Sequence, residues 1–247
     1  MNKFHFDTHV HLDLYKDTDN IITHINERKS YTIAVTNLPI LYEKARKNIP
    51  YTKYIRFALG LHPELIHEFP EQVTEFFKKL KNVRYVGEIG LDFSKEYTSY
   101  QNLQQEFFKR CITECHRLGN KILSIHSRKA AKEVIDIIGP EFNGKVILHW
   151  FNGNQSDTRR AIDNGYYFSI NNEMIKSING RKIIELIPLN RILLESDGPF
   201  TRTFKNKYDI NLFDDLIMSI STLKKCKTED LYKILRNNFK TILEGNK

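Results

Sequence analysis

Glycine and proline are scarce, at 11 and 7 of 247 residues, and no Ser-rich or Pro-rich stretch interrupts the chain. Low-complexity and collagen-like architectures are thereby excluded, and with no linker marked by composition, one barrel-sized domain over residues 1–247 is expected. No P-loop is present, and no GxGxxG follows a strand candidate, which argues against P-loop nucleotide hydrolysis and dinucleotide oxidoreduction. The nearest approach, ALGLHP at 58–63, lacks the glycine spacing. No apolar run approaches membrane-spanning length and the first residues do not read as a signal peptide, so a cytoplasmic protein with no membrane partner is expected. Cysteine is limited to Cys111, Cys115 and Cys226. The first two fall on the apolar side of a helical segment, EFFKRCITECHRLG, and read as buried free thiols rather than a disulfide or zinc knuckle. Acidic residues are outnumbered, 30 against 38 Lys and Arg, giving a formal charge of +8. Lysines on helix surfaces suffice to explain that excess, although it also suits a negatively charged partner such as nucleic acid.

What the chain has in quantity is alternation. Short β-branched and aromatic runs recur at KFHFD (3–7), YTIAVT (31–36), YIRFALG (54–60), VRYVGE (83–88), KILSIH (121–126), KVILHW (145–150), YYFSI (166–170) and RILLES (191–196). Between them stand segments of helical period at 70–81, 99–119, 127–138, 154–165 and 174–187, and INLFDDLIMSIS and TEDLYKILRNNFKTIL close the chain. Strand and helix alternating through eight strand candidates predict an α/β fold with parallel strands. A TIM-barrel-like (β/α)8 arrangement and an open doubly wound sheet both satisfy that pattern.

Ionisable residues gather where these strands should end. In DTHVHL (7–12), His9 and His11 project to one side, because strand side chains alternate. His62 follows the third strand candidate, Glu88 ends the fourth, His126 the fifth, His149 the sixth, and Glu195 and Asp197 the eighth. That end of a parallel α/β sheet is where such folds place their active sites. Singly, each residue reads as an ordinary hydrogen-bonded polar group at a strand terminus. Together, a buried carboxylate among several imidazoles is costly unless a shared cation satisfies them all.

The donors are nitrogen and oxygen without thiolate, a set suited to Mg, Mn, Zn, Fe or Co and large enough for two divalent ions. Two ions sharing Glu88 would acidify a water and clamp the attacking and leaving oxygens of a displacement at phosphorus. Hydrolysis is the expected chemistry, with Asp197 placed as ligand, as base, or as both. Glu195 takes a supporting role.

These residues carry a resemblance. DTHVHL matches the opening Asp-x-His-x-His-Leu of the TatD family of metal-dependent deoxyribonucleases, relatives of the amidohydrolase barrels. GLHP, GEIGLD, HSR at 126–128, HWFNG at 149–153 and LLESDGPF at 193–200 resemble its later motifs in order, over nearly the full chain. The resemblance implies a distorted TIM barrel with two ions, one held by His9, His11, Glu88 and Asp197 and the other by Glu88, His126 and His149. It places His62 against substrate phosphate and implies hydrolysis of DNA phosphodiesters, at single strands or 3′ ends.

Ser196 and Gly198 replace the family's usual Thr and Ala beside Asp197, and FTRTFKNKYDI replaces its proline-rich, basic continuation. Arg128 offers a fork of donors for phosphate, ahead of Arg202, Lys205 and Lys207 in the altered loop. Phe93 and Trp150 are candidates for base stacking, whereas Phe151 and Phe200 are expected to pack against the barrel rim. Two other readings fit the same residues: a nuclease component that acts only with protein partners, as in an antiviral defence complex, and an amidohydrolase-like enzyme acting on a small molecule.

Overall fold

The computed structural model describes residues 4–244. Lys3, at the start of the first strand candidate, lies outside the described residues. All eight expected strands form: β1 (Phe6–Val10), β2 (Tyr31–Ala34), β3 (Ile55–Phe57), β4 (Tyr85–Gly90), β5 (Lys121–His126), β6 (Gly144–His149), β7 (Tyr167–Ile170) and β8 (Ile192–Leu194). They pair in parallel as a three-stranded sheet, β1-β2-β3, and a five-stranded sheet, β4 to β8.

Helices fill the crossovers. α1 (Thr18–Arg28) and α2 (Pro39–Asn48) follow β1 and β2, and α3 (Glu71–Leu80), α4 (Gln101–Leu118), α5 (Ala131–Ile138) and α6 (Gln155–Asp163) follow β3 to β6. α7 (Asn172–Lys176) and α8 (Ile178–Leu186) follow β7, and α9 (Phe213–Leu223) and α10 (Thr228–Leu243) complete the chain. None of the helices described is long and apolar enough to cross a membrane.

The two sheets join at both edges, which decides for a closed barrel over an open sheet. Between β3 and β4, the Leu59 N–H donates to Tyr85 O at 3.0 Å and the Gly87 N–H to Leu59 O at 2.9 Å. Gly60 makes this approach possible, because a Cβ there would stand 1.6 Å from Thr36 O. Between β8 and β1, the Thr8 hydroxyl donates to Leu194 O at 2.9 Å and the Asp197 N–H to His9 O at 2.9 Å. The result is a TIM-barrel-like (β/α)8 fold whose wall is interrupted at two joints.

Several local expectations change. The helix expected over 174–187 is two helices, because Ser177 leaves the helical region at ψ 145 and its hydroxyl caps α8 by accepting the Gly180 N–H at 2.8 Å. The helix expected from 127 begins at Ala131, leaving Ser127 and Arg128 in the loop at the barrel mouth. α1 and α2 were not among the expected helices; α1 buries Ile21, Ile22 and Ile25. Glu88 lies within β4, which continues to Gly90. Cys111 and Cys115 are fully buried free thiols on α4, as their placement predicts.

Candidate metal centre

Five imidazoles converge on one carboxylate. Glu88 is 3% exposed, and its Oε1 lies 2.7 Å from His126 Nδ1, 2.8 Å from His149 Nε2 and 3.3 Å from His62 Nε2. Its Oε2 lies 3.2 Å from His11 Nε2 and 3.4 Å from His9 Nε2. Asp197 closes the group from the β8 side, with Oδ1 at 3.6 Å and 3.8 Å from the same His9 and His11 nitrogens. The period-two alternation of β1 brings His9 and His11 to one side, and their Nε2 atoms are 3.3 Å apart.

The electrostatics are unbalanced without a cation. Burial pushes the Glu88 carboxyl up, but His62, His149 and His9 together outweigh it and hold it well below the ordinary range. Burial also disfavours the His149 imidazolium, yet Glu88 and Glu195 hold that ring well above the usual histidine value. His9 goes the other way, driven well down by burial and then by His149. Asp197 is pushed well up by burial, against the opposing pull of His149 and with Glu195, Glu88 and Asp7 adding to the rise.

Ring nitrogens face each other at 3.3 Å in His9 and His11 and at 3.4 Å in His149 and His126, and the buried carboxylates of Glu88 and Asp197 crowd the same space, so lone pairs and negative charge meet with too few protons between them. Divalent ions taking nitrogen and oxygen donors fit both the donor set and this crowding. Among the described residues, three overlapping groups have ligand atoms close enough to hold an ion: His9, Glu88 and His149; His9, His11 and Asp197; His62, Glu88 and His126.

The surrounding residues orient these groups. His9 Nδ1 pairs with Ser124 Oγ at 2.8 Å, and His126 Nε2 with Asp92 Oδ2 at 2.8 Å. Asp7 accepts from the backbone N–H of His9 and of Ser196, each at 3.0 Å, from the Ser196 hydroxyl at 2.6 Å and from the Tyr208 hydroxyl at 3.1 Å. Ser196 is thus a link between the Asp197 loop and β1. Gly198 is accounted for as well, since a Cβ there would stand 2.0 Å from the Tyr15 hydroxyl, which donates to Phe204 O at 2.7 Å.

Asp92, Asp7 and Ser124 were not singled out as site residues. Asp92 and Asp7 do stand inside the motifs GEIGLD and DTHVHL, so a signal existed for both. Ser124 follows no such pattern, because its relation to His9 crosses the barrel.

A cavity of about 520 Å³ opens over the cluster, lined by His11, His62, Glu88, His126, His149 and Asp197 together with Arg128, Trp150, Glu64 and Phe200. Arg128 and Trp150, expected at phosphate and base, both line the cavity. Arg202 and Phe93 do not line it: Arg202 is exposed elsewhere, and Phe93 packs against the core with its N–H on Arg128 O at 3.0 Å. Phe151 is fully buried, as expected. Phe200 corrects its expectation, being 57% exposed, with its ring edge-on to His11 at 5.1 Å.

Comparison with known proteins gives a consistent family. The family model described as "TatD related DNase" matches residues 6–244. Human "Deoxyribonuclease TATDN3" is 28% identical over 212 residues, covering 78% of this chain and 77% of that protein. "Uncharacterized metal-dependent hydrolase YabD" of Bacillus subtilis is 26% identical over 256 residues, covering 98% and 99%. The crystal structure of YJJV, a TatD homolog from Escherichia coli, superposes with a TM-score of 0.83 at 19% identity, covering 98% of each chain.

Proposed function

The chain belongs to the TatD-related DNases, metal-dependent hydrolases, and from that premise we propose that it hydrolyses DNA phosphodiester bonds at strand ends, with single strands and 3′ ends favoured. The observation that carries this reading is the ring of five imidazoles around Glu88 in a cavity that Arg128 also lines. Human TATDN3, named a deoxyribonuclease, supports DNA as the substrate.

His9, His11, Glu88 and Asp197 would hold one divalent ion, and Glu88, His126 and His149 a second, with Mg, Mn, Zn or Fe all compatible with the donors. Ions held there supply Lewis-acid polarisation of a phosphoryl oxygen and a more acidic attacking water. The remaining work falls to side chains. Arg128 grips non-bridging phosphate oxygens through its planar fork of N–H donors. His62 faces the same phosphate. Asp197 orients the water and accepts its proton, and Trp150 offers a face on which a base stacks.

The test is hydrolysis of 3′- and 5′-labelled single-stranded and duplex DNA with Mg, Mn and Zn supplied separately, and Asp197→Asn as control. Cleavage lost in that variant establishes the activity and its direction. Silence from folded, metal-loaded protein redirects the reading to a component that needs protein partners, such as a defence complex, or to a small-molecule hydrolase.

A further inference from the structure

The cavity that is to receive a phosphodiester is also lined by a carboxylate outside the three candidate ligand groups. Glu64 lines it beside His62 and Leu65, from a single 3-10 turn, Pro63–Leu65, that follows β3. Its placement is tied to the centre, since the Glu64 N–H donates to His62 Nδ1 at 3.3 Å while His62 Nε2 faces Glu88 at 3.3 Å. No ion pair forms to Glu64 among the described residues. Its neighbour is the neutral phenol of Tyr97, whose hydroxyl is pushed up by burial and by this carboxylate. Glu64 belongs to none of the three candidate ligand groups.

The mouth is therefore charged unevenly. Arg128, after β5, presents a cation, and Glu64, after β3, presents a carboxylate with the Tyr97 phenol beside it and no ion pair among the described residues. A phosphate beside a carboxylate in a partly enclosed cavity is repelled strongly, whereas a hydroxyl can donate a hydrogen bond to it. Substrate lying across the cavity must put its phosphate toward Arg128 and an uncharged donor toward Glu64. For a nucleic acid strand, the group that meets this requirement is a terminus without phosphate.

We propose that Glu64 makes the cavity selective for strands that end in a free hydroxyl, by accepting a hydrogen bond from that hydroxyl and repelling a terminal phosphate. The inference rests on the phosphodiesterase reading and adds to it the end chemistry of the substrate. It also gives a reason for action at ends: the next phosphate of a continuous strand would have to pass the carboxylate.

The experiment compares single-stranded oligonucleotides carrying hydroxyl or phosphate at the 3′ end, and likewise at the 5′ end, with wild type, Glu64→Gln and Glu64→Lys. Metal content and thermal melting are measured on each protein. Wild type should favour the hydroxyl form at the attacked end by about tenfold or more. Glu64→Gln, which keeps an acceptor and loses the charge, should bring the two forms within about threefold, chiefly by admitting the phosphate form, and Glu64→Lys should invert the preference. Indifference of the wild type, or a ratio that survives in Glu64→Gln, overturns the assignment. Loss of bound metal in a folded Glu64→Gln also overturns it, because Glu64 would then be a ligand. Failure of wild type to cleave any strand, hydroxyl-ended ones included, is the distinct result that removes the nuclease reading.

Discussion

Glu195 joins Trp150 to the candidate metal centre: its Oε1 accepts the Trp150 backbone N–H at 3.0 Å and stands 3.7 Å from His149 Nδ1. The Ser169 hydroxyl also donates to this fully buried carboxylate, as does Asn171 Nδ2 at 2.8 Å. Trp150 takes φ 36, a left-handed conformation that a bulky residue adopts only when its surroundings enforce it. Glu195→Gln removes the charge and turns one acceptor into a donor. Metal affinity should fall by roughly 10- to 100-fold, and stability by about 1–3 kcal/mol. Chelator competition and thermal melting measure the two effects; unchanged affinity would show that Glu195 serves the fold alone.

Glu88→Gln keeps the shape of the side chain proposed to be shared by two ions and removes its charge from the ring of imidazoles. Occupancy of both ions should drop together and turnover should fall at least about a hundredfold. Elemental analysis after gel filtration, paired with the hydrolysis assay, gives both readings. Normal turnover in this variant would sink the bridging role.

Asp92 and His126 predict a pH window in the metal-free protein. Burial opposes the ionised form of Asp92, but its hydrogen bonds with His126 and Ser94 outweigh that and set its carboxyl below its ordinary 3.8. Burial likewise opposes charge on His126, and Asp92 and Glu88 raise it above its ordinary 6.5 all the same. The lowered acid adds stability above 3.8 that is lost as pH falls through its folded value, and the raised imidazole adds stability below 6.5 that is lost as pH rises through its own. Wild type should therefore exceed Asp92→Asn in Tm most clearly between about pH 4 and 6.5, with the gap narrowing on both sides. A gap independent of pH in chelator would contradict the pairing.

Phe200 stands at the cavity mouth on a backbone held by its own N–H, which donates to Asp197 O at 2.8 Å. The residue is more than half exposed, so Phe200→Ala should change stability by only about 0.5 kcal/mol. If a base rests on it, the variant loses about 1–3 kcal/mol of substrate binding, seen as a raised KM for oligonucleotides at constant metal content. An unchanged KM would leave the ring without a substrate role.

Gly198→Ala should cost about 1–3 kcal/mol by overpacking, since the new Cβ meets the Tyr15 hydroxyl at 2.0 Å. Tyr15→Phe removes that oxygen but leaves Cζ at 3.1 Å and gives up the hydrogen bond to Phe204 O. The double variant should recover part of the loss, and a melting-temperature cycle over the four proteins reads the coupling. Strict additivity would mean that the two residues do not share this space.

The strands and the side chains that gather at their ends were legible because each announces itself locally. A β-branched run followed at once by His, Glu or Asp holds its meaning in five or six consecutive residues, as KILSIH and KVILHW do. α1 and α2 were harder: α2 buries only Pro39, Tyr42 and Ala45, too sparse an apolar pattern to stand out. The break at Ser177 turns on one hydroxyl capping one N–H, which a helical period passes over. Closure of the barrel, the reach of Ser124 to His9, and the exposure of Phe200 depend on distances between elements far apart in the chain. Arg202 and Phe93 show the converse, since nearness in sequence to Asp197 and Glu88 did not bring them to the cavity.

The two interruptions in the barrel wall have a mechanical consequence. His9, His11 and His62 come from the three-stranded side, while Glu88, His126, His149 and Asp197 come from the five-stranded side. Each of the three candidate ligand groups draws from both. An ion bound in any of them would act as a rivet across a seam that the hydrogen-bond ladder leaves only lightly stitched, so the group that serves the chemistry would also fasten the wall.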